Sequence, residues 1–252
     1  MTELAYLPDL PSAYVRQFTG RVVALPPGGV VLDRTYFYPT GGGQPSDQGS
    51  LRTEGGQPLA VVDVIRSGSS VVHRLRGPNS ALRDLKVGGV VEGTVDWSRR
   101  HRHMRLHTAQ HLVSALVFAH TGLRTERANL SGSSATIDLE GAMPGERAEG
   151  LPAWVGAALE VPRRVAIRLV SRAEWDRHPS SARSGLVPLP ATVDPVRVIE
   201  IEGLDVCPCG GTHVRSTGEI GPLEFPPEAP RPSGKTRVRF LLSGVDPPTP
   251  SG

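Results

Sequence analysis

The sequence predicts an α+β chain: a strand-rich first part, a small antiparallel barrel or sandwich, followed by a mixed α/β unit with a largely antiparallel sheet. Three observations carry this. Residues 15–95 hold short apolar runs separated by Gly-rich turns, with no helical period; residues 98–121 hold one long helical pattern; and short alternating strands return after it. At 252 residues the chain can form one large domain or two small ones. Its 53 glycines and prolines (29 and 24) are above average usage but below the level of low-complexity disorder, which favours turns and short strands.

In the first part the expected strands are Arg21 to Leu25, Val30 to Asp33, Leu59 to Ile65, Val71 to Leu75 and Val90 to Val95, with Ser67-Gly68-Ser69-Ser70 as a turn. Tyr38-Pro39-Thr40-Gly41-Gly42-Gly43-Gln44 stands out. Consecutive glycines let a ligand approach the backbone and Gln44 can donate and accept; the same residues also suit a plain hairpin tip.

Asp96-Trp97-Ser98 marks the change from strand to helix, with Ser98 as N-cap and Gly122 as the stop. The helix opens with Arg99, Arg100, His101, Arg102, His103 and Arg105. Cations at the positive end of a helix dipole cost stability unless an anion sits nearby, so the run points to phosphate or to a solvated basic face. The net charge of +3 and pI of about 9.2 allow a polyanionic partner. Beyond the helix the expected strands are Ser134 to Leu139, Val165 to Val170, Val196 to Ile201, 219–225 and 236–243. A helix over 146–160 is interrupted at Gly150 and Pro152, Ser171 caps a short helix, His178 is a loop residue, and 245–252 is a disordered tail.

The candidate chemistry lies in two pairs, His107/His111 and Cys209/His213, each spaced by four. On a helix the first pair shares one face. At about 100° per residue, Leu106, Ala109, Val113, Leu116 and Val117 form the apolar stripe and both histidines project away from it. A thiolate and imidazoles are zinc ligands, and Gly210-Gly211 lets the second pair turn tightly, so the four are read as one divided metal site holding one Zn2+ per chain. The alternative is a metal-free polar cluster of the same residues in acid–base work. Cys207 and Cys209, the two cysteines present, stand too close for an ordinary disulfide, which suggests a reducing compartment. Without a leader pattern or a membrane-length apolar run, a soluble cytoplasmic protein is expected.

Taken in order, Tyr38-Pro-Thr-Gly-Gly-Gly-Gln44, Arg105-Leu-His-Thr-Ala-Gln-His111 and Cys209-Gly-Gly-Thr-His213 resemble the editing domain of alanyl-tRNA synthetase and its free-standing AlaX relatives, over about residues 15–243. The resemblance implies a small N-terminal β-barrel followed by an α/β two-layer editing domain, here 1–95 and 96–244. It implies a trans-editing hydrolase, an aminoacyl-tRNA deacylase acting on tRNA(Ala) mischarged with serine or glycine, in a medium-length, stand-alone form; a monomer is favoured. Zinc is then held by His107, His111, Cys209 and His213. Gly42, Gly43 and Gln44 line the editing pocket and Thr125 recognises serine, with His107, His111, Gln44 and Thr125 at the reacting centre. The cationic run Arg99, Arg100, Arg102 and Arg105 serves the tRNA phosphates. Two departures are the interruption at Gly150/Pro152 and the extra Cys207. The competing readings are a zinc-stabilised nucleic-acid-binding module and a metallohydrolase of small esters or amides.

Overall fold

The computed structural model describes residues 1–182, 189–228 and 234–244. The tail expected at 245–252 lies outside them. The chain is mixed α/β with more strand than helix, in two compact units, residues 1–102 and 103–252.

In the first unit the elements are β1 (Glu3–Leu4), α1 (Leu10–Ala13), β2 (Gln17–Ala24), β3 (Gly29–Leu32), β4 (Arg34–Thr35), β5 (Gly49–Thr53), β6 (Leu59–Ser67), β7 (Ser70–Arg76), α2 (Asn79–Asp84) and β8 (Val90–Val95). Six of them close into one antiparallel ring, β2-β3-β7-β6-β5-β8. Alternation explains it: Phe18 and Val22 of β2 and Val91 and Val95 of β8 point inward, where they meet Val30, Leu51, Leu59, Val64 and Val71. Strand β5 and helix α2 were not expected. Gly49-Ser50-Leu51-Arg52-Thr53 has a single buried apolar residue, and six residues are too few to display a helical period.

Helix α3 (Trp97–Thr121) begins in the first unit and continues into the second. Its cap is Asp96, whose Oδ1 accepts the Arg99 N–H at 3.1 Å, and not Ser98; a carboxylate complements the positive helix end as well as its orphan amides. Gly122 terminates it at φ +73°.

The second unit adds β9 (Thr125–Ser131), β10 (Ser134–Leu139), α4 (Gly145–Glu160), β11 (Val165–Val170), α5 (Arg172–Arg177), β12 (Val196–Ile201), β13 (Asp205–Pro208), β14 (Leu223–Glu224) and β15 (Arg237–Leu242). Two antiparallel sheets result, β14-β15-β10-β9 and β11-β12-β13. The strand expected at 219–225 shrinks to β14, because a 3-10 turn at Thr217–Glu219, Gly221 and Pro222 occupy the approach. Ser171 does cap α5, accepting the Glu174 N–H at 3.2 Å.

The expected interruption of α4 is corrected, for the helix is continuous through Gly150 and Pro152. Tertiary packing overrides local propensity here. Any Cβ at Gly150 would lie 3.0 Å from the Trp154 indole, which folds back over it and stacks on His120 at 3.9 Å between ring centres. Pro152 is exposed, while Leu151 and Val155 bury the inner face.

Candidate metal centre

Helix α3 is buried on every side through its middle. Leu106, Ala109, Val113, Leu116 and Val117 pack as the apolar stripe, but His107 and His111 are also only 2% and 4% exposed. Off the stripe therefore means inside a second, polar interior. There the loop after β13 brings Cys209 and His213, and the ligand atoms of His107, His111, Cys209 and His213 all lie within 4.8 Å of one another. Cys209 Sγ stands 3.4 Å from His107 Nε2 and 3.4 Å from His213 Nε2.

Hydrogen bonds on the outside of the cluster set which nitrogens face in. His111 Nδ1 lies 3.0 Å from a carboxylate oxygen of Asp205, which can only accept, so Nδ1 carries the proton and Nε2 offers its lone pair inward. Thr108 does the same for His213. Its hydroxyl proton is committed to the Met104 carbonyl at 2.9 Å, so Oγ1 accepts from His213 Nδ1 at 3.2 Å and from the Val214 N–H at 3.2 Å. A carboxylate and a hydroxyl behind the imidazoles is the arrangement that orients metal-bound histidines. Neither Asp205 nor Thr108 was singled out in the sequence; Thr108 lies inside the His-x-x-x-His pair and Asp205 four residues before Cys209.

Electrostatics agree with that donor set. Burial pushes the Cys209 thiol up, but His107 and His213 outweigh it and hold the thiol well below its ordinary value. Burial likewise opposes charge on His111, yet Asp205 and Cys209 raise it to about 10. His213, desolvated beside His107, is pushed well below the usual imidazole range. These shifts favour a thiolate paired with an imidazolium, and His111 would have to release one proton from Nε2 before both groups could serve a cation as ligands. One sulfur and three nitrogens, tightly grouped, fit a zinc-type ion. Cys207 falls outside this group of four and sits with His111 and Asp205 in a second grouping within 4.8 Å; both cysteines are free thiols.

The remaining expected site residues belong to different elements, each described within its own unit. Gly41 to Gln44 form a tight hairpin, with Gly41 and Gln44 exchanging backbone bonds at 3.1 and 2.9 Å and Gly42 and Gly43 at φ +55° and +78°, as a type I′ turn requires. Gln44 is buried. Thr125, buried at the start of β9, donates to Ser114 Oγ at 2.9 Å, and Gln110 Nε2 donates to the same oxygen at 3.0 Å.

The arginine run requires a correction. Arg100 cannot serve a phosphate: it is fully buried and paired with Asp47, with further bonds to the carbonyls of Ala13 and Tyr36. Arg99 is half-buried with Nε on the Ser46 carbonyl at 2.9 Å, and Arg105 is half-buried with Nε on the Ile220 carbonyl at 2.9 Å. What reads as a solvated run is largely internal wiring. Among the described residues no helix is long and apolar enough to cross a membrane.

Residues 13–99 match the family model described as tRNA synthetases class II (A), and residues 196–238 match the threonyl and alanyl tRNA synthetase second additional domain. The histidine pair of α3 lies between the two. Across nearly its whole length the chain is 34% identical to the alanyl-tRNA editing protein AlaX-M of Methanosarcina acetivorans (98% of this chain, 100% of that one) and 34% identical to that of Saccharolobus solfataricus (96% and 99%). It is also 32% identical to the alanine–tRNA ligase of Pyrococcus furiosus, over 87% of this chain and 24% of the ligase. The chain belongs to the AlaX-M family of alanyl-tRNA editing proteins.

Proposed function

We propose that the chain is a trans-editing deacylase that hydrolyses the ester joining serine, and secondarily glycine, to tRNA(Ala). The observation that supports this best is the convergence of His107, His111, Cys209 and His213 in a chain that matches AlaX-M proteins end to end. In this reading the strand ring is the family's N-terminal barrel, residues 1–95, and 96–244 form the editing domain.

His107, His111, Cys209 and His213 would hold one zinc, which supplies Lewis acidity and a fixed positive charge where the ester is bound. Four protein ligands ordinarily make a closed site, which favours an orienting role for the centre. The chain's own residues do the rest. Asp205 and Thr108 keep His111 and His213 in the tautomers that face inward. Thr125 spends its proton on Ser114, so its oxygen lone pairs are left to accept the hydroxyl of serine. Alanine is smaller than serine and enters any pocket serine enters, so size cannot reject it; a polar partner left unpaired by alanine can, by roughly 10⁴-fold in favourable cases. Gln44, Gly42 and Gly43 belong to the amino-acid pocket. Arg99 and Arg102 carry the contact with tRNA phosphates, and replacing both should weaken tRNA binding and flatten its salt dependence with metal content unchanged.

The deciding experiment offers purified protein Ser-tRNA(Ala), Gly-tRNA(Ala), Ala-tRNA(Ala), uncharged tRNA and a serine ester. Fast release of serine from tRNA with slow release of alanine is expected. Thr125→Val should narrow that ratio while metal stays bound; narrowing by Gln44→Ala with Thr125→Val silent would move recognition to the hairpin. Equal rates on seryl and alanyl substrates sink the editing function. Hydrolysis of the free ester alone would make the protein a small-ester hydrolase, and binding without hydrolysis a nucleic-acid-binding module.

A further inference from the structure

Two of the four donors in the centre sit on a segment that no regular element holds. Strand β13 ends at Pro208, and Cys209 to His213 continue as a loop whose middle, Gly210-Gly211, is the most pliable backbone possible. Yet Cys209 Sγ must stay 3.4 Å from His107 Nε2 and from His213 Nε2.

Arg197, half-buried on β12, grips that loop. One guanidinium nitrogen, Nη1, donates to the Cys209 carbonyl, and the other, Nη2, donates to the Gly211 carbonyl at 3.2 Å. The Cys209 N–H returns a bond to the Arg197 carbonyl at 3.2 Å. Because peptide units are planar, drawing the Cys209 and Gly211 carbonyls to one side turns the N–H groups of Gly210 and Thr212 to the other. Within the turn so fixed, the Gly211 N–H donates to Cys209 Sγ at 3.3 Å and favours the thiolate.

From this we infer that Arg197 is a positioning residue of the metal centre, whose planar fork locks the Cys209–Gly211 turn and thereby aims Cys209 and His213. The inference rests on the reading that these four residues bind a metal. A fork suits two carbonyls two residues apart because its separate nitrogens hold both in one fixed plane; an ammonium has three donors on one atom at the end of a flexible stem and does not fix that geometry.

The test uses the full chain loaded with zinc, with metal transfer to a chromophoric chelator followed in time, and the same chain loaded with cobalt, whose thiolate charge-transfer band reports Cys209 geometry. Arg197→Gln should release zinc ~10-fold faster or more, within the range seen when outer partners of metal ligands are lost, and should shift or weaken the cobalt band. Arg197→Lys keeps the charge and should still release zinc faster than wild type. Arg168→Gln, on β11 and paired with Glu200, should match wild type in both readouts. A lower melting temperature of the metal-free Arg197→Gln chain with unchanged zinc release and an unchanged cobalt band would make Arg197 a general brace and overturn the inference. If Arg197→Gln does not fold, wild-type release from Arg197→Lys overturns it as well. A wild-type chain that takes up neither metal removes the metal reading itself, and this inference falls with it.

Discussion

Each unit buries a set of strongly polar side chains, and the two sets are satisfied in opposite ways. In the first unit every partner has the complementary role. Arg100 spreads its donors over Asp47 and two carbonyls, Asp47 Oδ2 also accepts the Tyr38 N–H at 2.6 Å, and His73 donates from Nδ1 to the Val30 carbonyl at 3.1 Å while Nε2 meets the Thr35 hydroxyl at 2.8 Å. In the second unit Asp205 and Thr108 turn His111 and His213 so that their acceptor nitrogens face the sulfur of Cys209, an acceptor once ionised. Donor meeting acceptor is architecture. Acceptors turned toward one another need a proton or a cation to be stable, and that separates a ligand site from a buried network.

The contrast breaks most completely if the anionic donor of the second set is removed. Cys209→Ala should abolish near-stoichiometric zinc, lowering affinity by more than the ~100-fold typical of outer partners, whereas Cys207→Ala should stay close to wild type; metal analysis of the purified variants reads this directly. Next in size, Arg100→Met should cost about 3–5 kcal/mol of stability by stranding the Asp47 carboxylate, and Arg100→Met/Asp47→Leu should recover part of it. Denaturant unfolding measures both, and metal content should not change.

Acid sharpens the contrast further. Burial lowers His73 from 6.5 to about 4, so below pH 6.5 the unfolded chain takes up a proton that the native chain refuses until pH 4. Stability contributed by the neutral form is complete above pH 6.5, falls by about 3 kcal/mol between pH 6.5 and 4, and levels off below. His73→Gln should flatten that part of the pH–stability curve. The smallest effect on the centre belongs to Thr108→Val, which removes the acceptor behind His213 and should reduce zinc affinity ~10-fold, seen by chelator competition, while the stranded Val214 N–H should cost the metal-free chain about 1–3 kcal/mol in unfolding.

Local signals in the sequence reached only as far as spacing reaches. The grouping of His107 with His111 follows from helix periodicity, and Cys209 with His213 from a glycine turn, so the candidate centre could be named before its geometry was known. Strands with alternation, such as β8 and β10, and short apolar runs, such as β11 and β12, were equally legible. What stayed hidden depends on partners far away in the chain. Arg100 looks like one more surface cation until Asp47, 53 residues earlier, is placed beside it. Gly150 looks like a helix breaker until Trp154 folds over it. Asp205, Thr108 and Arg197 have no spacing rule to betray them, because each acts through a contact with a ligand or with the backbone that carries one.

The separation of 102 positions from His107 to Cys209 also sets a schedule. Synthesis proceeds at ~5–20 residues per second, so the histidine pair leaves the ribosome roughly 5–20 s before Cys209, and His213 then completes the set. A cation captured by all four ligands then ties a loop of about a hundred residues, withdrawing from the unfolded chain a freedom that grows only with the logarithm of loop length. On the proposed metal reading, a nascent chain arrested before Cys209 should hold zinc no better than an ordinary histidine pair.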